Sequence, residues 1–101
     1  MPFFNLDKIR VAASLQRIEY IGCKVRKDIA NLGYTLVEVA DSIASLTPTD
    51  FQKTILYQDQ TAHDVYIKNI IREEQTDKVY MKLRLLENGE IEIVEIGSFH
   101  L

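Results

Sequence analysis

The amino-acid sequence predicts an α+β domain in which N-terminal helices pack on one face of a small antiparallel β-sheet that ends in a C-terminal hairpin. Three observations predict it. Apolar residues of the first half recur at helical intervals and are framed by helix start and stop signals. From Val65 onward the period changes to alternation, with Val79, Met81, Leu83 and Leu85 interleaved with Tyr80, Lys82 and Arg84. Asn88-Gly89 then separates two such runs, and that dipeptide is the strongest short-range hairpin signal.

Taken in order, Leu6, Ile9, Ala13 and Leu15 fall near helical spacing, with Asp7, Lys8 and Arg10 outside. Arg17 to Ile21 is short and β-branched and reads as a brief strand or a connector. After Gly22, Val25, Ile29 and Leu32 repeat helically, and Gly33 stands where a helix stop is expected. Thr35-Leu36-Val37-Glu38 forms a capping box, in which the two side chains satisfy free backbone donors at a helix start. Leu36, Val39, Ala40, Ile43 and Leu46 line one face of the helix that follows. Thr47-Pro48-Thr49-Asp50 is a third start signal, and it predicts a short helix carrying Phe51, Gln52 and Lys53.

In the second half Val65, Ile67 and Ile71 are expected to face the core, with Tyr66 and Lys68 opposite. A two-residue turn at Asn88-Gly89 sets Glu87 against Glu90, Met81 against Ile96 and Leu83 against Val94. Tyr80, Lys82 and Arg84 then share the other face with Gly97, Glu95 and Ile93, showing aromatic and basic groups to solvent. No repeat or linker interrupts the chain, which reads as a single domain over residues 1–101.

Composition narrows the function classes. The chain has 101 residues, 47% hydrophobic and 27% charged, enough apolar material for one modest core. The longest uncharged stretch, Ile29 to Val37, falls far short of a membrane span, and the start lacks the pattern of a signal peptide. A lone Cys23 and two histidines exclude an internal disulfide and a zinc finger. The protein is expected to be cytoplasmic, with no metal, no cofactor and no membrane association. Cys23 reads as a small buried hydrophobe.

Net charge is −3, which speaks against nonspecific nucleic-acid binding by bulk charge. Its distribution is uneven. Residues 1–30 carry Lys8, Arg10, Arg17, Lys24, Arg26 and Lys27 against Asp7, Glu19 and Asp28, so the acidic excess lies in the rest of the chain. That basic first third is either a solvated helix face or a docking surface.

Several chemistries can be set aside. The glycines, at 22, 33, 89 and 97, form neither a dinucleotide fingerprint nor a phosphate loop, and there is no Gly-x-Ser-x-Gly. What remains is a polar set around the strands: Lys53, His63, Asp64, Tyr66, Lys68, Tyr80, Lys82 and Arg84. Lysine, tyrosine, histidine and arginine on a sheet face can bind a phosphodiester and assist its cleavage without metal, although each alone is ordinary strand surface.

The run Leu46-Thr47-Pro48-Thr49-Asp50-Phe51-Gln52-Lys53 resembles the Leu-Ser/Thr-x-x-Asp-Phe-x-Lys segment of the MqsR family of bacterial toxins. His63-Asp64-Val65-Tyr66 is similar to that family's Gln-Asp-Val-Tyr, Val79-Tyr80-Met81-Lys82 to its Val/Ile-Tyr-x-Lys strand, and Ser98-Phe99 to its closing Ser-Phe. The motifs keep their order over nearly the whole chain. The resemblance implies a RelE-like fold and a messenger-RNA endoribonuclease held inactive by a cognate antitoxin. It implies an active site containing Lys53 and Tyr80. His63 stands where the family has a glutamine, and His100 where it has a lysine after Ser-Phe.

The catalytic set expected on this basis is Lys53, His63, Tyr80 and His100, with Tyr66, Lys82 and Arg84 as RNA contacts and Tyr66 as a stacking surface. Single-stranded RNA is the expected substrate. Under the two-residue turn His100 falls to the apolar face with Ser98, unless a bulge at Gly97 turns the strand back. Two rival readings are a catalytically degenerate module that only binds an antitoxin or other protein partner, and a plain structural partner protein. The basic first third is expected to dock an acidic antitoxin segment.

Overall fold

The computed structural model describes residues 1–101. Three helices come first: α1 (Leu6–Ser14), α2 (Cys23–Leu32) and α3 (Leu36–Ala44), with a short strand β1 (Ile18–Tyr20) between the first two. Strands β2 (Phe51–Leu56), β3 (Ala62–Arg72), β4 (Gln75–Glu87) and β5 (Glu92–His100) follow. They form one five-stranded sheet in the order β1-β5-β4-β3-β2. All pairings are antiparallel except that of β1 with β5, which is parallel. This is the α+β architecture expected, and no helix is long and apolar enough to cross a membrane.

The capping box acts as read, with Thr35 and Glu38 completing it, while Asn5, not anticipated from the sequence, caps α1 by accepting from the Lys8 amide. Gly33 ends α2 at φ 75°, the left-handed conformation glycine adopts without penalty. Arg72, at the end of β3, donates to the carbonyls of Leu32 and Gly33 and to Glu38, tying the helix ends to the sheet.

The core lies between the helices and one sheet face. Ile9, Val25, Ile29, Val39, Ile43 and Leu46 meet Val79, Met81, Leu83, Leu85, Val94, Ile96 and Phe99, all buried.

Four expectations are corrected. The segment after Thr47 makes only a single 3₁₀ turn, Pro48–Asp50, and Phe51 already begins β2, so Lys53 lies on a strand. The capping box there is complete, but Phe51, Ile55 and the β3 edge offer more burial as sheet than one further helical turn would. Asn88-Gly89 sits in a four-residue connection, since Glu87 pairs with Glu92 rather than with Glu90. Leu83 therefore faces Ile96 and Leu85 faces Val94, two places along from the expected register. The third concerns β3. Asp64, Tyr66 and Lys68 turn to the helix side, opposite Leu83, Met81 and Val79, and Val65 lies on the other face beside Lys82. With apolar groups at both parities, alternation alone does not say which face is inner; Tyr66 has the larger area to bury and packs edge-on against Phe51 at 5.7 Å. Finally, Cys23, at the first turn of α2, is exposed.

Candidate functional site

The sheet face away from the helices carries the polar groups. Across it runs a row formed by Lys53 of β2, Val65 of β3, Lys82 of β4 and Ser98 of β5, each paired with the next. The next row toward the end of β5 holds Ile67, Tyr80 and His100. In the other direction, Ile55 pairs with His63 and Arg84 with Glu95. Val65 is buried here, between lysines whose aliphatic stems are long enough to cover it.

A bulge brings His100 to this face. Lys82 pairs with Ser98 and Leu83 with Ile96, so Gly97 is the extra residue. The shift places His100 opposite Tyr80, and the rings stack with centroids 5.1 Å apart and planes 19° apart. Of the two outcomes left open by the sequence, the bulge is the one found.

His63 reaches toward β5. A side chain at Gly97 would stand 3.1 Å from its Nε2 and 3.2 Å from its Cδ2, so the ring lies against the glycine. Its Nδ1 is buried and makes no hydrogen bond, which leaves Nε2 as the nitrogen over the bulge. Burial first, then the nearby cations Arg84 and Lys82, hold the imidazole below its ordinary value of 6.5. That favours the neutral imidazole.

Tyr57, a residue that motif reasoning missed, completes the group. It follows β2 in a turn closed by Asp59 and Thr61, meets the His63 ring edge-on at 5.3 Å, and accepts from Lys82 Nζ at 3.4 Å. Only the alternation of β2 carried onward, Lys53, Ile55, Tyr57, could have marked it.

Arg84 is on the expected face but is engaged. Its Nε donates to Glu95 at 2.6 Å, and Glu95 is buried. Tyr66 is not on this face: it is fully buried on the helix side, its hydroxyl without a hydrogen bond, and burial pushes its ionisation well above the usual phenol range. It presents no surface for a base to stack on. Asp64, also fully buried there, accepts from the amides of Phe3 and Phe4 and from Thr54 Oγ1, so it fastens the N-terminus to the sheet. Lys68 forms an ion pair with Asp50. No group of three or more histidine, cysteine, aspartate or glutamate side chains is placed to hold a metal ion.

Lys53, His63, Tyr80, Lys82 and His100 thus lie on one sheet face drawn from four strands, with His63, Tyr80, Lys82 and His100 about the bulge at Gly97 and Lys53 farther off on β2. Ammonium, imidazole and phenol groups are the kinds that hold an anion and transfer protons. No curated protein matches the chain closely enough to count as a relative. The family model described as motility quorum-sensing regulator, toxin of MqsA, matches residues 1–100, and the chain belongs to that family of toxins, those of toxin–antitoxin systems.

Proposed function

We propose that the protein is a metal-independent endoribonuclease that cleaves messenger RNA and is inhibited by its cognate antitoxin. The observation that supports this is that Lys53, His63, Tyr80 and His100 share one sheet face, the last three about the bulge at Gly97. In the proposed reaction His63 Nε2 takes the proton of a ribose 2′-hydroxyl, and the 2′-oxygen attacks the adjacent phosphorus. Lys53 stabilises charge growing on the phosphoryl oxygens. The bond from phosphorus to the 5′-oxygen breaks, and Tyr80, with His100 stacked on it, gives that oxygen a proton. The products are a 2′,3′-cyclic phosphate and a free 5′-hydroxyl. Lys82 contacts the backbone.

The test is incubation of the purified protein with single-stranded RNA in a chelator, with end-group analysis. Cyclic phosphate and 5′-hydroxyl ends, abolished by the co-expressed antitoxin, are expected; no cleavage at any pH would sink the reading.

A second reading, a degenerate module that only binds the antitoxin, is favoured by two observations. His63 and His100 replace the glutamine and lysine of the family pattern, and Arg84 is held by Glu95. Growth arrest on expression, relieved by the antitoxin, separates the two.

A further inference from the structure

Between the first turns of α2, the middle of β4 and the end of β5 lies a cleft of about 520 Å³, lined by Lys24, Asp28, Tyr80, Lys82, Ser98 and His100. Gly97 is also part of its wall, so the cleft opens beside His63 Nε2. Lys24 is the only one of these groups supplied by a basic side chain outside the sheet. Its ammonium is bound to Asp28 at 2.8 Å, yet its side chain is 82% exposed and that of Asp28 only 24%. Such an exposed pair, one helical turn apart, is weak and opens readily to a stronger anion. Lys53 and Lys82 share one row of paired residues that ends at Ser98, and Ser98, Lys82 and Lys24 all line the cleft.

We propose that this cleft is a substrate subsite that holds the nucleotide next to the scissile phosphate, with Lys24 as the contact to its flanking phosphate. Asp28 holds Lys24 in the free protein and yields it to the phosphate when RNA binds. The proposal rests on the endoribonuclease reading above. It adds a binding residue from α2 that none of the family motifs in the sequence contains, and it gives one basic residue of the first third a role in binding RNA.

The test uses the full-length chain and two readouts. The first is affinity for a fully 2′-O-methylated single-stranded RNA, which cannot be cleaved, measured against salt concentration. The second is single-turnover cleavage of unmodified RNA. Lys24→Ala should weaken binding roughly 5- to 10-fold and lower the salt slope by about 0.7, the loss of one phosphate contact on a single strand. Its cleavage should fall at subsaturating RNA in step with the lost affinity and recover as RNA is raised, since Lys24 touches no reacting atom. Asp28→Asn should tighten binding and Lys27→Ala, on the same helix but outside the cleft, should change nothing. Equal behaviour of Lys24→Ala and Lys27→Ala in a chain that still cleaves RNA would overturn the subsite and leave the endoribonuclease reading standing. A parent protein that neither binds nor cleaves RNA would overturn both.

Discussion

His100 stacks on Tyr80, centroids 5.1 Å apart, because β5 carries one residue more than β4 at Gly97. Without that bulge, alternation would send His100 to the helix side. The same glycine makes room for His63, so one backbone irregularity brings both histidines to the site. Gly97→Ala isolates this role. Its φ is not in the left-handed region, so alanine fits the backbone, but the new Cβ would press on His63 at 3.1 Å. We expect RNA cleavage to fall by roughly 10-fold with little change in melting temperature, since a small misplacement of a proton-transfer group is costly. Undiminished cleavage would show that the position of the His63 ring does not matter.

Lys53 and Tyr80 lie on the same face, on β2 and β4, with β3 between them. Each tests the proposed chemistry directly. Lys53→Ala and Tyr80→Phe should each lower cleavage by a factor of roughly 10²–10⁴, as loss of a charge stabiliser or proton donor does. Lys53 is exposed and no backbone bond of the sheet depends on either side chain, so both variants should melt near the parent temperature. Full activity in both, with melting unchanged, would remove the proposed site.

Tyr66 offers a contrasting case. Its hydroxyl is buried without a partner, which costs stability, while its ring fills the core against Phe51. Tyr66→Phe keeps the ring and removes the orphan group. The variant should be as stable as the parent or more so, by up to about 1 kcal/mol, with cleavage unchanged. A marked loss of activity would return Tyr66 to the functional set.

Asp64, buried as well, is fully committed. It accepts hydrogen bonds of 2.9 and 2.8 Å from the Phe3 and Phe4 amides and one of 2.5 Å from Thr54 Oγ1. Asp64→Ala leaves these donors without an acceptor and should cost about 2–4 kcal/mol, with the N-terminal residues exchanging their amide protons faster. A chemical-denaturation midpoint equal to the parent's would contradict that role.

How far the sequence discloses this arrangement depends on the kind of signal. Capping residues act locally: Thr35 with Glu38 begins a helix and Gly33 ends one where expected. Turn signals act locally too, but register depends on the whole ladder. Glu73 and Glu74, with no turn preference to speak of, both adopt positive φ in the two-residue β3–β4 turn, while Asn88-Gly89 occupies a longer connection. The β3–β4 ladder, nine residues long on each side, is continuous enough to impose that turn on two glutamates. The faces of β4 follow from alternation because only one parity is apolar, whereas β3 has Val65 beside Tyr66 and needs the tertiary packing to decide. Lys53, Tyr80 and the two histidines were visible as residues. That Lys53 sits on a strand, that Tyr57 joins them and that Tyr66 does not are consequences of pairing, which no single segment encodes.

The neutral state of His63 gives the pH dependence a definite sign. Burial and the cations Arg84 and Lys82 all disfavour the imidazolium, so the folded-state ionisation lies below 6.5. A base works when unprotonated. The cleavage rate should therefore fall on the acid side, with a midpoint below ~6.5. His63→Gln should remove this limb while retaining some cleavage, since glutamine still positions the phosphate or the attacking hydroxyl and stands at this place in the family pattern; His63→Ala should cost more. Stability should move with it. The unfolded chain takes up the proton first, so His63 weakens the fold as pH drops below ~6.5, until the folded form is protonated as well. Parent and His63→Gln melting curves should draw apart over that interval. His100 is the control, because it stacks on Tyr80 and its Nδ1 is within 3.0 Å of the Leu101 carbonyl. His100→Gln should leave the acid limb in place. A profile that keeps the limb in His63→Gln and loses it in His100→Gln would assign the base to the histidine on the far side of the bulge.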